Sequence, residues 1–164
     1  MFKIDDYVIY NSNGVYKIID IRKENISGND INYYVLEPVF SENMIIKIPV
    51  SNTKVVMRKI MTKDEVLELI AAMPDQESIW INDDRERKEY FKAALKTAES
   101  EEWMKLIKTI YLKKQEKIDH GKKIAKTDED IMRAAEKNLY EEFAVVLNIT
   151  PEEVLSYINE RISS

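Results

Sequence analysis

Ser78-Ile-Trp-Ile-Asn-Asp-Asp-Arg-Glu-Arg-Lys-Glu-Tyr-Phe-Lys-Ala-Ala-Leu-Lys96 is the stretch around which this 164-residue sequence divides into two differently built halves. It opens on an indole, Trp80, beside the turn-formers Asn82-Asp83-Asp84, and then turns cationic at Arg85, Arg87, Lys88, Lys92 and Lys96. Acid suits a helix N-terminus, so a helix is predicted to start near Asp83 or Asp84. Its apolar positions Tyr90, Phe91, Ala94, Leu95 and Ala98 make one stripe, leaving Arg85, Lys88, Lys92 and Lys96 largely elsewhere on the cylinder. Trp80 then has two readings. Together with Ile79 and Ile81 it is a hydrophobic staple that pins the helix start, or it is an aromatic wedge at a nucleic-acid surface where cations hold phosphates.

Upstream, from Asp6 to about Arg58, apolar residues recur with period two or in short β-branched runs. Tyr7–Tyr10 is a first strand, Asn11-Ser-Asn-Gly14 a turn, and Val15–Ile21 a second strand. Asn25-Ile-Ser-Gly-Asn-Asp30 is the next turn, Ile31–Val39 a third strand that Pro38 ends or pushes to an edge, and Met44–Val50 and Lys54–Arg58 complete the set. Five short strands with tight turns predict a small SH3/Tudor-like β-barrel, a module that binds rather than catalyses. Exposed strand edges in such a module can pair with a strand of another protein.

After Lys59 the period is helical. Thr62-Lys-Asp-Glu65 is a capping box for a helix that carries Val66, Leu67, Leu69, Ile70 and Met73 and is stopped by Pro74. Beyond the quoted stretch, Ser100 is the expected N-cap of a helix with Trp103, Leu106, Ile107, Ile110 and Tyr111 on its core face and Gly121 at its end. Thr127-Asp-Glu-Asp130 starts a long helix with Ile131, Ala135, Leu139, Phe143 and Val146 inward. Thr150-Pro-Glu-Glu153 caps the last helix, which carries Val154, Leu155, Ile158 and Ile162. The predicted class is therefore α+β in two domains: a small N-terminal SH3/Tudor-like β-barrel over residues 1–59, then an all-α helical domain of about five helices over residues 60–164.

Composition narrows the function. With 45% hydrophobic and 34% charged residues, and only three Gly and four Pro, the chain reads as a folded protein without long disordered segments. It has no cysteine, which excludes disulfides and thiolate metal sites. The one histidine, His120, lies beside Gly121 at a helix end, and there is no Gly-rich phosphate loop. The acid pairs Asp83-Asp84, Glu101-Glu102 and Glu152-Glu153 all fall at helix starts, where dipole compensation accounts for them. The expectation is no enzyme, no cofactor and no metal. Met1-Phe-Lys-Ile-Asp-Asp6 does not read as a signal peptide and no apolar run is long enough to span a bilayer, so a cytoplasmic location is expected.

The net charge of −5 is unevenly spread. Residues 85–125 hold twelve Lys and Arg against seven acids, between flanks 59–84 and 126–164 that are each five units negative. Such a basic island is either a solvated helix face or an electrostatic footprint for phosphates.

Ile4-Asp-Asp-Tyr-Val-Ile-Tyr-Asn-Ser-Asn-Gly-Val15, the strand Ile45-Ile-Lys-Ile-Pro49 followed by Asn52, the segment Trp80 through Leu95, Tyr111-Leu-Lys-Lys-Gln-Glu-Lys117 and Leu139-Tyr-Glu-Glu-Phe-Ala144 together resemble the CarD/CdnL family. These are bacterial RNA polymerase-binding transcription regulators, whose N-terminal module is also similar to the polymerase-interacting domain of transcription-repair coupling factor. The resemblance implies a Tudor-like module that docks on the polymerase β subunit through Arg22, Lys47 and Pro49. It implies a helical domain that contacts promoter DNA through Arg85, Arg87, Lys88, Lys92, Lys113 and Lys114. Trp80 then matches a minor-groove wedge that stabilises the open complex without reading sequence, and a monomer is the expected state. This chain has Asp5 where the family's opening motif has Gly, Asn11 where it has Pro, and Lys47 where Arg is common, which forgoes a bidentate carboxylate contact. Two other readings stand: a KOW-like RNA- or ribosome-associated or elongation-factor module, suited by Val8 to Val15, and a protein–protein adaptor without DNA contact.

Overall fold

A computed structural model describes residues 1–41 and 44–163. The chain forms two compact units, Met1–Ile60 and Met61–Ser164.

The first unit is an antiparallel sheet of β1 (Tyr7–Tyr10), β2 (Val15–Ile26), β3 (Asn29–Pro38), β4 (Ile46–Pro49) and β5 (Met57–Lys59), in the order β4-β3-β2-β1-β5. Period-two alternation puts Val8, Tyr16, Ile18, Tyr34, Leu36 and Ile48 into one buried cluster. The sheet does not close into the expected barrel. Its edge strands are four and three residues long, and each pairs with a single neighbour, β4 with β3 and β5 with β1.

The hairpin β2–β3 runs further than predicted. Asn25 and Asp30, read from sequence as turn residues, face each other across the ladder, with the Asn25 amide donating to the Asp30 carboxylate at 3.1 Å. The turn itself is Ser27-Gly28, at φ +53° and +83°, the paired left-handed conformers that a two-residue hairpin requires. Asp5 and Asn11, the two departures in the opening motif, also adopt positive φ, +76° and +53°. Glycine takes such a conformer without steric cost, whereas proline is locked near −65° and cannot adopt the backbone found at Asn11.

The second unit comprises α1 (Lys63–Ala72), a 3-10 turn (Met73–Asp75), α2 (Asp84–Lys96), α3 (Ser100–Asp119), α4 (Lys126–Leu147) and α5 (Pro151–Ser163). The Thr62–Glu65 capping box is complete in both directions, and Asp83 caps α2 by accepting from the Glu86 amide at 2.9 Å. Gly121, at φ +70°, ends α3 while the Lys122 amide reaches back to the Lys117 carbonyl at 2.7 Å.

Two expected caps take other roles. Ser100 is the first residue of α3, preceded by Glu99, and its hydroxyl donates instead to the Glu142 carboxylate. Glu142 is fully buried on α4 and also accepts from the Met61 amide at 2.9 Å, so one carboxylate fastens the starts of two chain segments to α4. Thr127 lies inside the first turn of α4, which begins after Ala125, and Asp128 is carried into the interior.

Phe91, Trp103, Ile110, Leu139 and Phe143 form the sealed centre of the unit. Tyr90, Tyr111, Leu155 and Ile162, predicted to face inward, remain 45%, 53%, 51% and 43% exposed because the apolar stripes of their helices are wider than the neighbours that cover them. No helix among the described residues is long and apolar enough to cross a membrane.

Candidate nucleic-acid interface

Arg85, Lys88, Lys92 and Lys96 follow one another on α2 at intervals of three and four, so they line a single face, and all four are exposed. Arg85 makes only a loose pair with Glu89, at 3.6 Å on the surface. Arg87 lies off this stripe, in register with Phe91 and Ala94 on the buried side.

Arg87 was grouped with the phosphate-binding cations by sequence, but the fold encloses it, and it is 5% exposed. Its guanidinium grips Asp128 of α4 through two hydrogen bonds of 3.1 and 2.9 Å. It also bonds Asp84 at 2.8 Å and the Ile81 carbonyl at 3.0 Å. The Asp128 hydrogen bonds, opposed by burial and reinforced by Asp84, raise its pKa above the ordinary arginine value. With two carboxylates and a carbonyl already on its donors, Arg87 has little left to offer a phosphate.

What Arg87 does touch is Trp80. Its Cζ lies 4.3 Å from the centre of the indole ring, and Nζ of Lys113 on α3 lies 5.4 Å from it. Phe91 meets the same ring edge-on, with centroids 6.1 Å apart at 61°. The ring is nonetheless partly exposed. Each of the two sequence readings describes a part of this environment: Phe91 pins the indole as a staple would, and cations surround a ring that still reaches solvent.

The segment leading to Trp80 is fastened independently. The Ile79 amide donates to Thr109 Oγ1 at 3.3 Å, and Lys108 Nζ donates to the carbonyls of Met73, Pro74 and Gln76 at 3.2, 2.9 and 2.7 Å. The ammonium thereby serves the carbonyls at the end of the 3-10 turn and holds the connection to α2 against α3.

Lys113 and Lys114 part company because adjacent helical residues point about 100° apart. Lys113 joins Trp80 and pairs with Glu116 at 3.4 Å. Lys114 turns to α4 and pairs with Glu129 at 3.2 Å, the hydrogen bond that does most to hold the Glu129 carboxyl below its usual range. Asp128 is the member of this site that sequence reading missed, having been read only as part of the Thr127–Asp130 start of a helix. The signal was available: an arginine at an inward-facing helix position needs a buried acid.

In the sheet unit, cross-strand pairing aligns Arg22 with Tyr33 and Tyr33 with Pro49, and Lys47 lies two residues from Pro49 along β4. Arg22, Lys47 and Pro49 therefore share one face of the sheet toward its β4 edge. Arg22 bonds Asp20 at 2.8 Å and Lys47 bonds Glu24 at 2.6 Å. The Arg22 hydrogen bond, followed by that of the Ile21 amide, keeps the Asp20 carboxyl below its usual range. Among the described residues no cluster of three or more His or acidic side chains is arranged to hold a metal.

Residues 2–61, which span the strand-built unit, match the family model of the CarD-like/TRCF RID domain. The match ends where the helical unit begins. No curated protein matches the chain.

Proposed function

We propose that this protein is a non-enzymatic transcription regulator that uses its sheet unit to dock on RNA polymerase and its helical unit to hold promoter DNA. The match of residues 2–61 to the CarD-like/TRCF RID domain supports the first half. In this reading the Tudor-like sheet meets the β subunit through the face that carries Arg22, Lys47 and Pro49, with the edge of β4 available for strand addition. The protein then works in the cytoplasm, where the polymerase is.

The second half rests on one observation: a partly exposed indole held against Phe91 and between two cations, beside the exposed stripe of Arg85, Lys88 and Lys92. Arg85, Lys88 and Lys92 contact phosphates, Lys113 flanks the insertion point, and Trp80 wedges into the minor groove at the edge of the melted region. Arg87 acts through Trp80 as a positioning residue. A wedge must repay a few kcal/mol of unstacking, and one already fixed by its neighbours loses little side-chain entropy on insertion. Phosphate contacts place the protein without reading bases. With a net charge of −5 the chain alone binds DNA weakly, and recruitment by polymerase supplies the local concentration.

The test is the lifetime of promoter open complexes with Trp80→Ala. The substitution is expected to shorten the lifetime about tenfold, equivalent to ~1.4 kcal/mol. Removing a partly exposed ring should cost only about 1–2 kcal/mol of folding stability, so the variant remains folded. An unchanged lifetime with a folded variant rejects the wedge. The adaptor reading is preferred if exchanging Arg85 and Lys88 for alanine also leaves promoter complexes unaltered.

A further inference from the structure

Away from Trp80, the helical unit carries an open groove of about 610 Å³ along α3, α4 and α5. Met104, Met132 and Leu139 form its buried floor, and Tyr111, Leu155 and Ile162 stand exposed around it. Those last three are residues whose helical spacing predicts a core position. The groove is thus the place where the apolar stripes of α3 and α5 lack a neighbour. Methionine side chains on the floor can adjust to the shape of an occupant.

One acidic group on α4 belongs to the lining of the groove. Glu136 lines the groove half-buried, and burial raises its carboxyl pKa above the ordinary value. Lys114 and Arg133 are close enough to oppose that shift, yet both hydrogen-bond Glu129 instead, and Lys108 is committed to three backbone carbonyls. Tyr140, also on the groove, is pushed up to about 12 by burial and by the Glu136 charge. Lys114 also lines the groove, but among the described residues none hydrogen-bonds Glu136, so its carboxylate is open to a donor carried by an occupant.

We propose that the groove docks an amphipathic helix of a partner protein, with aliphatic residues at i, i+3 or i+4 and i+7 in the trough and one Lys or Arg paired with Glu136. A helix laid along α3 and α5 completes ridges-into-grooves packing that the unit leaves unfinished. The basic residue gives Glu136 the direct partner that Lys114 and Arg133, both bonded to Glu129, do not. The site is separate from the polymerase and DNA contacts proposed above and stands without them.

The experiment selects displayed helical peptides of about sixteen residues against the full-length chain. The expected winners share three apolar anchors on one face and a Lys or Arg beside them. Their affinity should fall about tenfold with Leu155→Asp and about tenfold with Glu136→Gln, and should be unaltered by Lys88→Ala. Glu136→Gln serves as its own folding control. A carboxyl with a raised folded-state pKa costs stability as pH rises from its unfolded value through the folded one, so the amide should raise the thermal midpoint at neutral pH while weakening the peptide. The proposal is overturned if no peptide is enriched, if the winners lack a basic residue, or if binding ignores Leu155→Asp or Glu136→Gln. It is equally overturned if the chain self-associates and Leu155→Asp abolishes that, since the occupant is then a second copy.

Discussion

Trp103 and Trp80 belong to the same helical unit, yet they are held by different forces. Trp103 is completely buried on the inward face of α3, and its indole N–H donates to the Leu95 carbonyl at 3.1 Å. Trp80 precedes α2 and is partly exposed, with Phe91 at its edge and Arg87 and Lys113 against its ring. Burial, helped by that hydrogen bond, keeps the first in place. The second sits at the boundary with water, where the hydrophobic effect exerts less hold, and needs separate fixings. Arg87 provides one because it is itself fixed by Asp128 from a different helix.

That contrast breaks if both rings respond alike to substitution. Trp103→Ala should cost about 3–5 kcal/mol in chemical denaturation, from lost transfer energy and the cavity left behind. A loss below that of Trp80→Ala would reverse the comparison.

Asp128→Ala comes next, at about 3 kcal/mol, because it strands Arg87 as a buried charge without its main partner. Alongside that loss, the fluorescence of Trp80 should shift to the red in a Trp103→Phe background as the guanidinium releases the ring. An unaltered emission would show that Phe91 holds Trp80 without help from Arg87.

Lys88→Ala and Lys92→Ala should each leave folding stability within about 0.5 kcal/mol. Each should lower the slope of log affinity against log salt by about one when promoter DNA binding is measured in the presence of polymerase. An unchanged slope would separate the cationic stripe from the wedge.

The smallest effect belongs to α5, distant in role from both tryptophans. The backbone amide of Thr150, then its hydroxyl, holds the Glu153 carboxyl below its usual range. A depressed folded-state pKa gives stability that is present above the unfolded value and lost as pH falls through the folded one. Acidification should therefore fray α5 in hydrogen exchange, Glu153→Gln should flatten that pH dependence, and neither should move the emission of Trp80.

Much of the architecture was legible from neighbours along the chain. Strand alternation around Val8, Ile18 and Leu36, the Thr62 cap, the pairing of Thr150 with Glu153 at the start of α5 and the placement of Trp103 depend on residues one to four positions apart, and they appear where the pattern puts them. The Asn25–Asp30 turn was read too wide because its polar residues serve equally well as a cross-strand pair. Ser100 was read as a cap because a serine before two glutamates has that local signature, whereas its hydroxyl is captured by an acid on another helix.

Sequence by itself determined the β-then-α order, the start of α1 with its complete capping box, and the presence of an indole beside a cationic helix. Only tertiary structure decided that the sheet stays open, that Arg87 faces inward, that Asp128 and Glu142 are buried, and that Tyr111, Leu155 and Ile162 are left uncovered. The reason is distance along the chain. Periodicity and capping are contests among adjacent residues, but the partners of Arg87, Ser100 and Met61 lie 41, 42 and 81 residues away. Whether a charge is buried or a stripe is covered depends on which helix folds against it.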